Sequence, residues 1–329
     1  MRALYEVLID NLDGTLWNVT ESISQMTWKT SRIGKPSSLE ATLVYAKGMD
    51  RGGFKAENGN PIQVKLDGKG FFLGRIFSVD DSEEASIELL AYDQLRYLSE
   101  SDTYIRKNIR ADEVILDQCK AIGLTVGKLA NTVHRIPKVS EDGQKRIDIV
   151  SRALDSTLMA SGDLYVLYDD FGKVTLTHVR DMAADVVLGD ESLVYGYKRK
   201  KSIEDDTFNF IKLARDNKDG VRQEFVEPDK VSMSRWGKLQ YYQKVDEKLN
   251  EQQIREMAKR LLAVKNREQQ KFSLEALGYP GLRAGMKVQV TVDKLGLSRF
   301  FLIEECTHKL DGNKHTMSLE MKVVADGPE

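Results

Sequence analysis

Two segments of the chain repeat one another, and this internal repeat constrains the fold more than any other feature of the sequence. Residues 59–73 read GNPIQVKLDGKGFFL, and residues 285–302 read GMKVQVTVDKLGLSRFFL. Both predict a glycine turn, an alternating strand, an acidic turn and a second strand with paired phenylalanines. Chance similarity between two ordinary strands is the alternative. A true duplication places two related β units in one chain, so an assembly of n chains holds 2n units, which favours a symmetry adaptor or scaffold over an enzyme.

The composition is that of a soluble globular protein. The 329 residues leave room for two or three domains, and 41% are hydrophobic and 30% charged. The formal net charge of −2 arises from many charges of both signs, so neither nucleic-acid binding nor attraction to an anionic membrane is predicted. No apolar run reaches membrane-spanning length, and Glu6 stands where a signal peptide would be apolar. Cys119 and Cys306 are expected to be buried thiols in a reducing cytoplasm.

The hydrophobic pattern divides the chain into three segments. Residues 1–98 predict six short strands separated by turns, which is typical of a small barrel or sandwich. Residues 99–190 predict an α+β domain with helices over 111–122 and 144–160 and a hairpin over 164–177. Residues 191–329 predict a return to β structure around a helix over 250–270, and a final meander that includes strands over 287–292, 299–304 and 316–323.

Two short motifs resemble those of enzymes, but each also reads as a turn. Asp13-Gly-Thr-Leu has the letters of a phosphatase signature, although the nucleophile position holds Asn11, which cannot form an aspartyl phosphate in the ordinary way. Asp170-Phe-Gly copies the magnesium-binding triplet of protein kinases, without the companion loops that such a site requires. We therefore interpret both as turn sequences.

The remaining candidate residues also give no site. His134 and His178 are isolated, whereas His308 and His315 flank a predicted hairpin turn and Cys306 shares a strand face with His308, which leaves a zinc site as the alternative to partly exposed hairpin histidines. The basic run at 198–201 reads as a strand end balanced by nearby acids, with phosphate binding as the alternative. The prediction is thus no catalytic residue, no cofactor-binding residue, no metal site and no cofactor.

The C-terminal block resembles the end of phage tail baseplate hub proteins, including the late control D family and the hubs of contractile tails. The motifs are FSLEALGYPGLRAGMKVQV from Phe272, FFLIEECTHKL from Phe300 and HTMSLEM from His315. In addition, YDQLRYL from Tyr92 and LYVLYDDFGK from Leu164 resemble the hub encoded by defective, PBSX-like prophages of Gram-positive bacteria. The order of the motifs along the whole chain carries the resemblance, since each motif is loose.

The resemblance implies a fold that is mainly β with α+β insertions. It consists of two tail-tube-like antiparallel β-barrels, in residues 1–98 and 191–329, and a small α+β domain in residues 99–190. In such hubs three chains form a ring of six quasi-equivalent barrels, which joins a hexameric tail tube to a trimeric spike.

Expected partners are two further copies of the chain, the tail tube or distal tail proteins, the spike, and the tape-measure and baseplate wedge proteins. No membrane partner is expected. The expected location is the bacterial host cytoplasm during assembly and then the virion or a tail-like particle. Two alternatives stay open on the residues alone: a cell-wall hydrolase or other enzyme with a scattered site, and a monomeric β-rich carbohydrate-binding module.

Overall fold

Strands dominate the secondary structure. The computed structural model describes residues 5–44, 54–81, 86–190, 192–204, 206–216, 221–247 and 249–323. It contains 54% strand and 21% helix, which confirms the prediction of a mainly β fold, and no closed barrel is found among those residues. The chain forms two compact units, one of residues 1–198 with 273–329 and one of residues 199–272. The division at 98 and 190 stays a prediction.

The first part of the chain holds all six predicted strands and one more. They are β1 (Tyr5–Asp10), β2 (Leu16–Asn18), β3 (Ile23–Ser31), β4 (Ser38–Val44), β5 (Pro61–Leu66), β6 (Lys69–Asp81) and β7 (Ser86–Tyr92). Alternation places every second side chain in one core, as with Leu39, Ala41 and Leu43 of β4. A 3-10 helix over Gln94–Ser99 follows β7.

The middle part combines two helices with two small sheets. Its elements are β8 (Ser101–Arg110), α1 (Ala111–Ala121), β9 (Val126–Leu129), β10 (Arg135–Lys145), α2 (Arg146–Ser161), β11 (Tyr165–Asp169), β12 (Val174–His178) and β13 (Ala183–Gly189). β8 pairs with β10, and β12 lies between β11 and β9. Both predicted helices and the hairpin are confirmed, whereas β8 and β10 were not predicted. α2 ends at Gly162, whose φ of 79° provides the left-handed C-cap.

The last part contains ten further elements. They are β14 (Val194–Ser202), β15 (Phe210–Asp216), β16 (Arg222–Pro228), α3 (Lys230–Trp236), β17 (Gln240–Lys244), α4 (Glu251–Lys265), β18 (Gln269–Leu277), β19 (Lys287–Val292), β20 (Leu297–Asp311) and β21 (Lys314–Val323). In the smaller unit, α4 packs on β15 and β16 through buried Ile254, Ala258 and Leu261. The helix predicted to residue 270 is wrong at its C-terminal end: it stops at Lys265, because residues 269–277 alternate and form β18.

The large sheet contains the same five-strand order twice. One set is β3-β4-β7-β6-β5, and the other is β14-β18-β21-β20-β19. We call them repeat 1 and repeat 2. In each repeat, the first two strands pair with each other, a loop and a hairpin follow the second strand, and the returning strand lies between the second strand and the hairpin.

The glycine turns before the two hairpins have the same geometry. Gly59 has a φ of 93° and Gly285 has a φ of 92°, both in the left-handed region that favours glycine. The Gly59 amide donates to the Ile76 carbonyl at 2.8 Å, and the Gly285 amide donates to the Ile303 carbonyl at 2.8 Å. Gly59 and Ile76 in repeat 1 therefore occupy the positions of Gly285 and Ile303 in repeat 2.

A β-bulge also recurs at the same place. The register between β6 and β7 shifts between Ile76 and Ser78, and the register between β20 and β21 shifts between Ile303 and Glu305. Phe77 and Glu304 are therefore the equivalent bulged residues. Two sets of five strands that share a strand order, a glycine turn and a bulge are unlike a chance match of alternating residues.

The matching of the phenylalanine pairs is wrong by two residues. Ile62 of β5 faces Gly74, whereas the equivalent Val288 of β19 faces Phe301. The turn of the second hairpin is longer by two residues, but the first hairpin carries an extra residue at a bulge between Val64 and Lys65. The net offset is therefore one residue rather than three. Because the error is even, it leaves every side chain on the predicted face.

The two repeats are joined within the chain by strand pairing. Beyond its bulge, β20 pairs antiparallel with β3, from Glu305 opposite Ser31 to Asp311 opposite Gln25. The Arg32 amide also donates to the carbonyl of the bulged Glu304 at 2.9 Å. The last strand of the hairpin of repeat 2 thus lies beside the first strand of repeat 1.

Candidate functional site

The two enzyme-like motifs are turns, as predicted. β1 and β2 form a hairpin in which the Asp13 carboxylate accepts a hydrogen bond from the Thr15 amide at 2.9 Å. Between β11 and β12, the Asp169 carboxylate accepts from the Gly172 amide at 2.7 Å, with Phe171 at a φ of 48°. In both cases a carboxylate completes local backbone geometry.

A loop between β18 and β19, residues 282–285, makes hydrogen bonds to buried polar side chains of two strands. The Leu282 carbonyl accepts from Nε2 of His308, and the Ala284 amide donates to Oγ1 of Thr30 at 3.0 Å. The loop therefore contacts strands of both repeats, and we call it the junction loop.

His308 lies at the centre of this junction and is fully buried. Its Nε2 lies 2.8 Å from the Leu282 carbonyl, so Nε2 carries a proton and Nδ1 is free to accept. Nδ1 lies 3.0 Å from Nε2 of His315, which then donates to it. The ring also stacks on Trp28 at a centroid distance of 5.4 Å. This arrangement suits a neutral imidazole.

The pKa values of this group follow from burial. Burial, together with the neighbouring His315, lowers the pKa of His308 to about 3. Burial also lowers the pKa of His315, although Asp67 opposes the shift. Cys306 lies 3.2 Å from Nε2 of His308, and burial raises the pKa of its thiol.

The expectation of partly exposed histidines is therefore wrong for His308, because the side chain is enclosed by the junction loop and aromatic rings. Across the described ranges, no group of three or more His, Cys, Asp or Glu side chains is arranged to hold a metal ion. Of the other histidines, His178 contacts Asp163 at 3.1 Å, far along the chain from this cluster. Cys119 and Cys306 are both buried free thiols, which confirms the prediction of their burial.

Arg283 of the junction loop contacts the α+β part of the chain. The residue is partly buried with its Nε shielded from solvent, its Nη1 donates to the Asp169 carbonyl at 3.1 Å, and its guanidinium lies 4.1 Å from the centroid of the Tyr168 ring. Burial lowers its pKa, against the attraction of Asp93, Asp169 and Asp170. The guanidinium thus links the junction loop to β11, and removing it would leave the Asp169 carbonyl without this donor.

Asp93 is a second buried charge near the junction. Its carboxylate accepts from the Ser37 amide and the Leu95 amide, each at 2.9 Å. Burial is the largest influence and raises its pKa to about 7. Neither Arg283 nor Asp93 was predicted from the sequence. The only signal was their place beside turn residues, in GLRAG and YDQL, which gives no information on burial.

The sheet edges form the candidate interaction surface. β14 ends the strand order of the large sheet, and the basic run 198–201 lies within it, with Lys201 3.5 Å from Glu268. The prediction that this run lies at a strand end is confirmed. Beside the bulge of β6 lies an open groove of about 660 Å³, lined by residues that include Arg75, Phe77 and Tyr97.

A family model described as YQBQ-like matches residues 26–322. The chain belongs to the YQBQ-like family. Two relatives from Bacillus subtilis strain 168 match over nearly the whole chain. The protein YqbQ is 30% identical over 306 residues and covers 92% of each chain. The phage-like element PBSX protein XkdQ is 29% identical over 314 residues, with 94% of each chain covered.

Solved structures of phage tail proteins share the fold of this YQBQ-like chain. The 43 kDa tail protein of prophage MuSo2 from Shewanella oneidensis has a TM-score of 0.70 at 15% identity, covering 96% of this chain and 98% of that chain. A tail protein from Neisseria meningitidis MC58 has a TM-score of 0.71 at 14% identity, covering 97% and 96%.

A third structure comes from a secretion system. The Escherichia coli c3393 protein, a type VI secretion component described as similar to the phage T4 tail proteins gp27 and gp5, gives a TM-score of 0.59 at 11% identity. It covers 97% of this chain and 77% of that chain. The resemblance to baseplate hub proteins of prophage tails is thus confirmed at the level of the family and its structural neighbours. These findings support a structural role in a phage tail or tail-like particle. Within the described part, no helix is both long and apolar enough to cross a bilayer.

Proposed function

We propose that this YQBQ-like protein is a baseplate hub that acts as a symmetry adaptor. Three copies form a ring of six quasi-equivalent modules, each module built on one repeat and closing as a tube-like barrel, in residues 1–98 and 191–329. The ring joins a hexameric tail tube or distal tail protein to a trimeric spike, with tape-measure and wedge proteins as neighbours. It assembles in the host cytoplasm and acts through its interfaces.

The observation that carries this proposal is the duplicated five-strand order with its shared turn and bulge. Three subunits with two similar modules each present six modules to a sixfold ring while keeping threefold symmetry toward a spike. The internal pairing of β20 with β3 also supports it, because it sets two modules side by side in one continuous sheet.

The test is the solution mass by light scattering, with negative-stain images of the same peak. We expect three chains of 37.3 kDa in a six-lobed ring, alone or after addition of the spike protein. A protein that stays monomeric in both conditions contradicts the proposal. Binding to peptidoglycan or a soluble glycan by that monomer, with or without cleavage, would instead favour the hydrolase or the carbohydrate-binding module.

A further inference from the structure

The pairing of β20 with β3 has a counterpart that a single chain leaves incomplete. In repeat 1, the segment of β6 after the bulge, Ser78–Asp81, is equivalent to the start of the β20 segment that pairs with β3. Its β7 side is paired, but among the described residues no strand pairs with its other side. We call this segment the β6 edge.

The counterpart of β3 is β14, and it is also half paired. β14 is the first strand of repeat 2, as β3 is the first strand of repeat 1, and its only neighbour among the described strands is β18. Its side chains from Tyr197 to Lys201 are exposed. One chain therefore forms a junction between β20 of repeat 2 and β3 of repeat 1. It also presents the two strands of a second junction, the β6 edge of repeat 1 and β14 of repeat 2, without pairing them.

The charges on the two halves are opposite. β14 carries Lys198, Arg199, Lys200 and Lys201, while the β6 edge carries Asp80 and Asp81. Asp80 lies directly opposite Glu88 of β7, and both are exposed. Like charges facing each other across strands are unfavourable, and a basic strand placed alongside relieves that repulsion.

The internal junction has the same sense of charge. Beside β3, Arg32 contacts Glu304 of β20 at 3.1 Å, and Lys35 contacts Glu305 at 3.5 Å. The basic side of that junction belongs to the chain around β3, and the acidic side belongs to the bulge region of β20. β14 and the β6 edge carry charges of the same sense, but they are not paired with each other within one chain.

We propose that β14 of one copy pairs antiparallel with the β6 edge of a second copy, and that this pairing closes the ring. The inference rests on the proposed hub function and names the surface through which copies assemble. Main-chain hydrogen bonds supply the contact, as in strand addition to an open sheet edge, and the charges set the partner and the direction. Three such junctions alternate with three internal ones.

The experiment combines light scattering with zero-length carbodiimide crosslinking of the full-length protein. We expect peptides from the band of two joined copies to link Asp80 or Asp81 to lysines of the 198–201 run. The variants Asp80→Lys/Asp81→Lys and Lys198→Glu/Lys200→Glu should each raise the concentration for half-assembly by at least about tenfold. The chain that carries all four changes should assemble again, because every junction regains opposite charges.

The matched control is Lys107→Glu/Lys138→Glu, which reverses two exposed lysines that face each other between β8 and β10. It should keep the assembly of the unmodified protein. A ring whose crosslinks lie elsewhere, and which is unaffected by the Asp80 and Asp81 changes, overturns the edge pairing and leaves the hub proposal standing. A chain that is monomeric at every concentration, with and without the spike, overturns both.

Discussion

The buried His308 makes the stability of the protein depend on pH, and the size of the effect follows from the structure. In the unfolded chain this histidine has an ordinary pKa of 6.5, whereas burial lowers its pKa in the folded protein to about 3. Between these values the unfolded state binds a proton that the folded state excludes, so acid favours unfolding. Between pH 6.5 and pH 4.5, two pH units at about 1.4 kcal/mol each make about 3 kcal/mol. This contribution is present above pH 6.5 and is lost as the pH falls.

The perturbation is His308→Gln, which keeps a neutral donor and acceptor near the Leu282 carbonyl and His315 but cannot take a proton. The variant also loses the ring packing on Trp28, so its stability at pH 7 should fall. The informative quantity is therefore the change in the free energy of unfolding between pH 7 and pH 4.5, measured by urea titration. We expect the wild type to lose about 3 kcal/mol more than the variant over this range.

The control is His134→Gln, which removes a histidine outside the junction. It should retain the dependence on pH that the wild type owes to His308, because His308 and its surroundings are unchanged in this variant. If His308→Gln and wild type show parallel stability profiles from pH 7 to pH 4.5, His308 takes up its proton in the folded state. The assignment of a neutral, enclosed imidazole is then refuted.

Two further predictions concern other buried or constrained positions. Because the pKa of Asp93 is raised to about 7, this residue should lower the stability of the wild type by about 4 kcal/mol as the pH rises from 4 toward 7. Asp93→Asn should abolish this fall in urea titrations, and an unchanged profile argues against a raised pKa. Gly285→Ala should cost at least about 2 kcal/mol more than Gly59→Ala, although φ is 92° and 93°, because a Cβ at Gly285 lies 2.5 Å from Cγ1 of Val166 while that at Gly59 meets open space. Thermal and urea unfolding of the two alanine variants measure this difference in stability, and adding Val166→Ala to Gly285→Ala should recover part of the loss. Equal losses in the two variants would exclude the close approach.

Local patterning was sufficient to predict most strands, because half-buried strands alternate. All six strands of the first part, both helices of the middle part and the final meander were visible in this way. The strands β8 and β10 escaped because both are largely exposed and polar: residues 105–108 of β8 all face solvent. Without a buried face, alternation gives no signal. The polar stretch around β16 and β17 was missed for the same reason.

The duplication was visible in sequence, but its alignment was not. The glycine turn and the strand after it matched because φ near 90° restricts the residue type at Gly59 and Gly285. The paired phenylalanines did not match, because the lengths of a turn and of a bulge change without altering the strand order. A Cβ at Gly74 would lie 2.3 Å from the Tyr92 carbonyl oxygen, so the position held by Phe301 in repeat 2 accepts only glycine in repeat 1.

The buried charges at the junction could not be predicted, since their environment is assembled from distant parts of the chain. Arg283 contacts the Asp169 carbonyl, 114 residues away, and no local pattern carries that information. The sequence did place His308 and His315 on either side of a hairpin turn. Its burial was missed because the junction loop and Trp28 that enclose it come from outside the hairpin.

His308 and Asp93 have opposite effects on how the stability of the protein depends on pH. Acidification from pH 6.5 removes the contribution of His308, whereas it restores that of Asp93, whose raised pKa favours the protonated folded form. Between about pH 4.5 and 6.5 the two effects are of similar size and largely cancel, each being worth about 1.4 kcal/mol per pH unit. The free energy of unfolding should therefore change with pH by a similar slope in the wild type and in the His308→Gln/Asp93→Asn double variant. The two single variants should change this slope in opposite directions. If both single variants change the slope in the same direction, the pKa shift of one of the two buried groups is wrongly assigned.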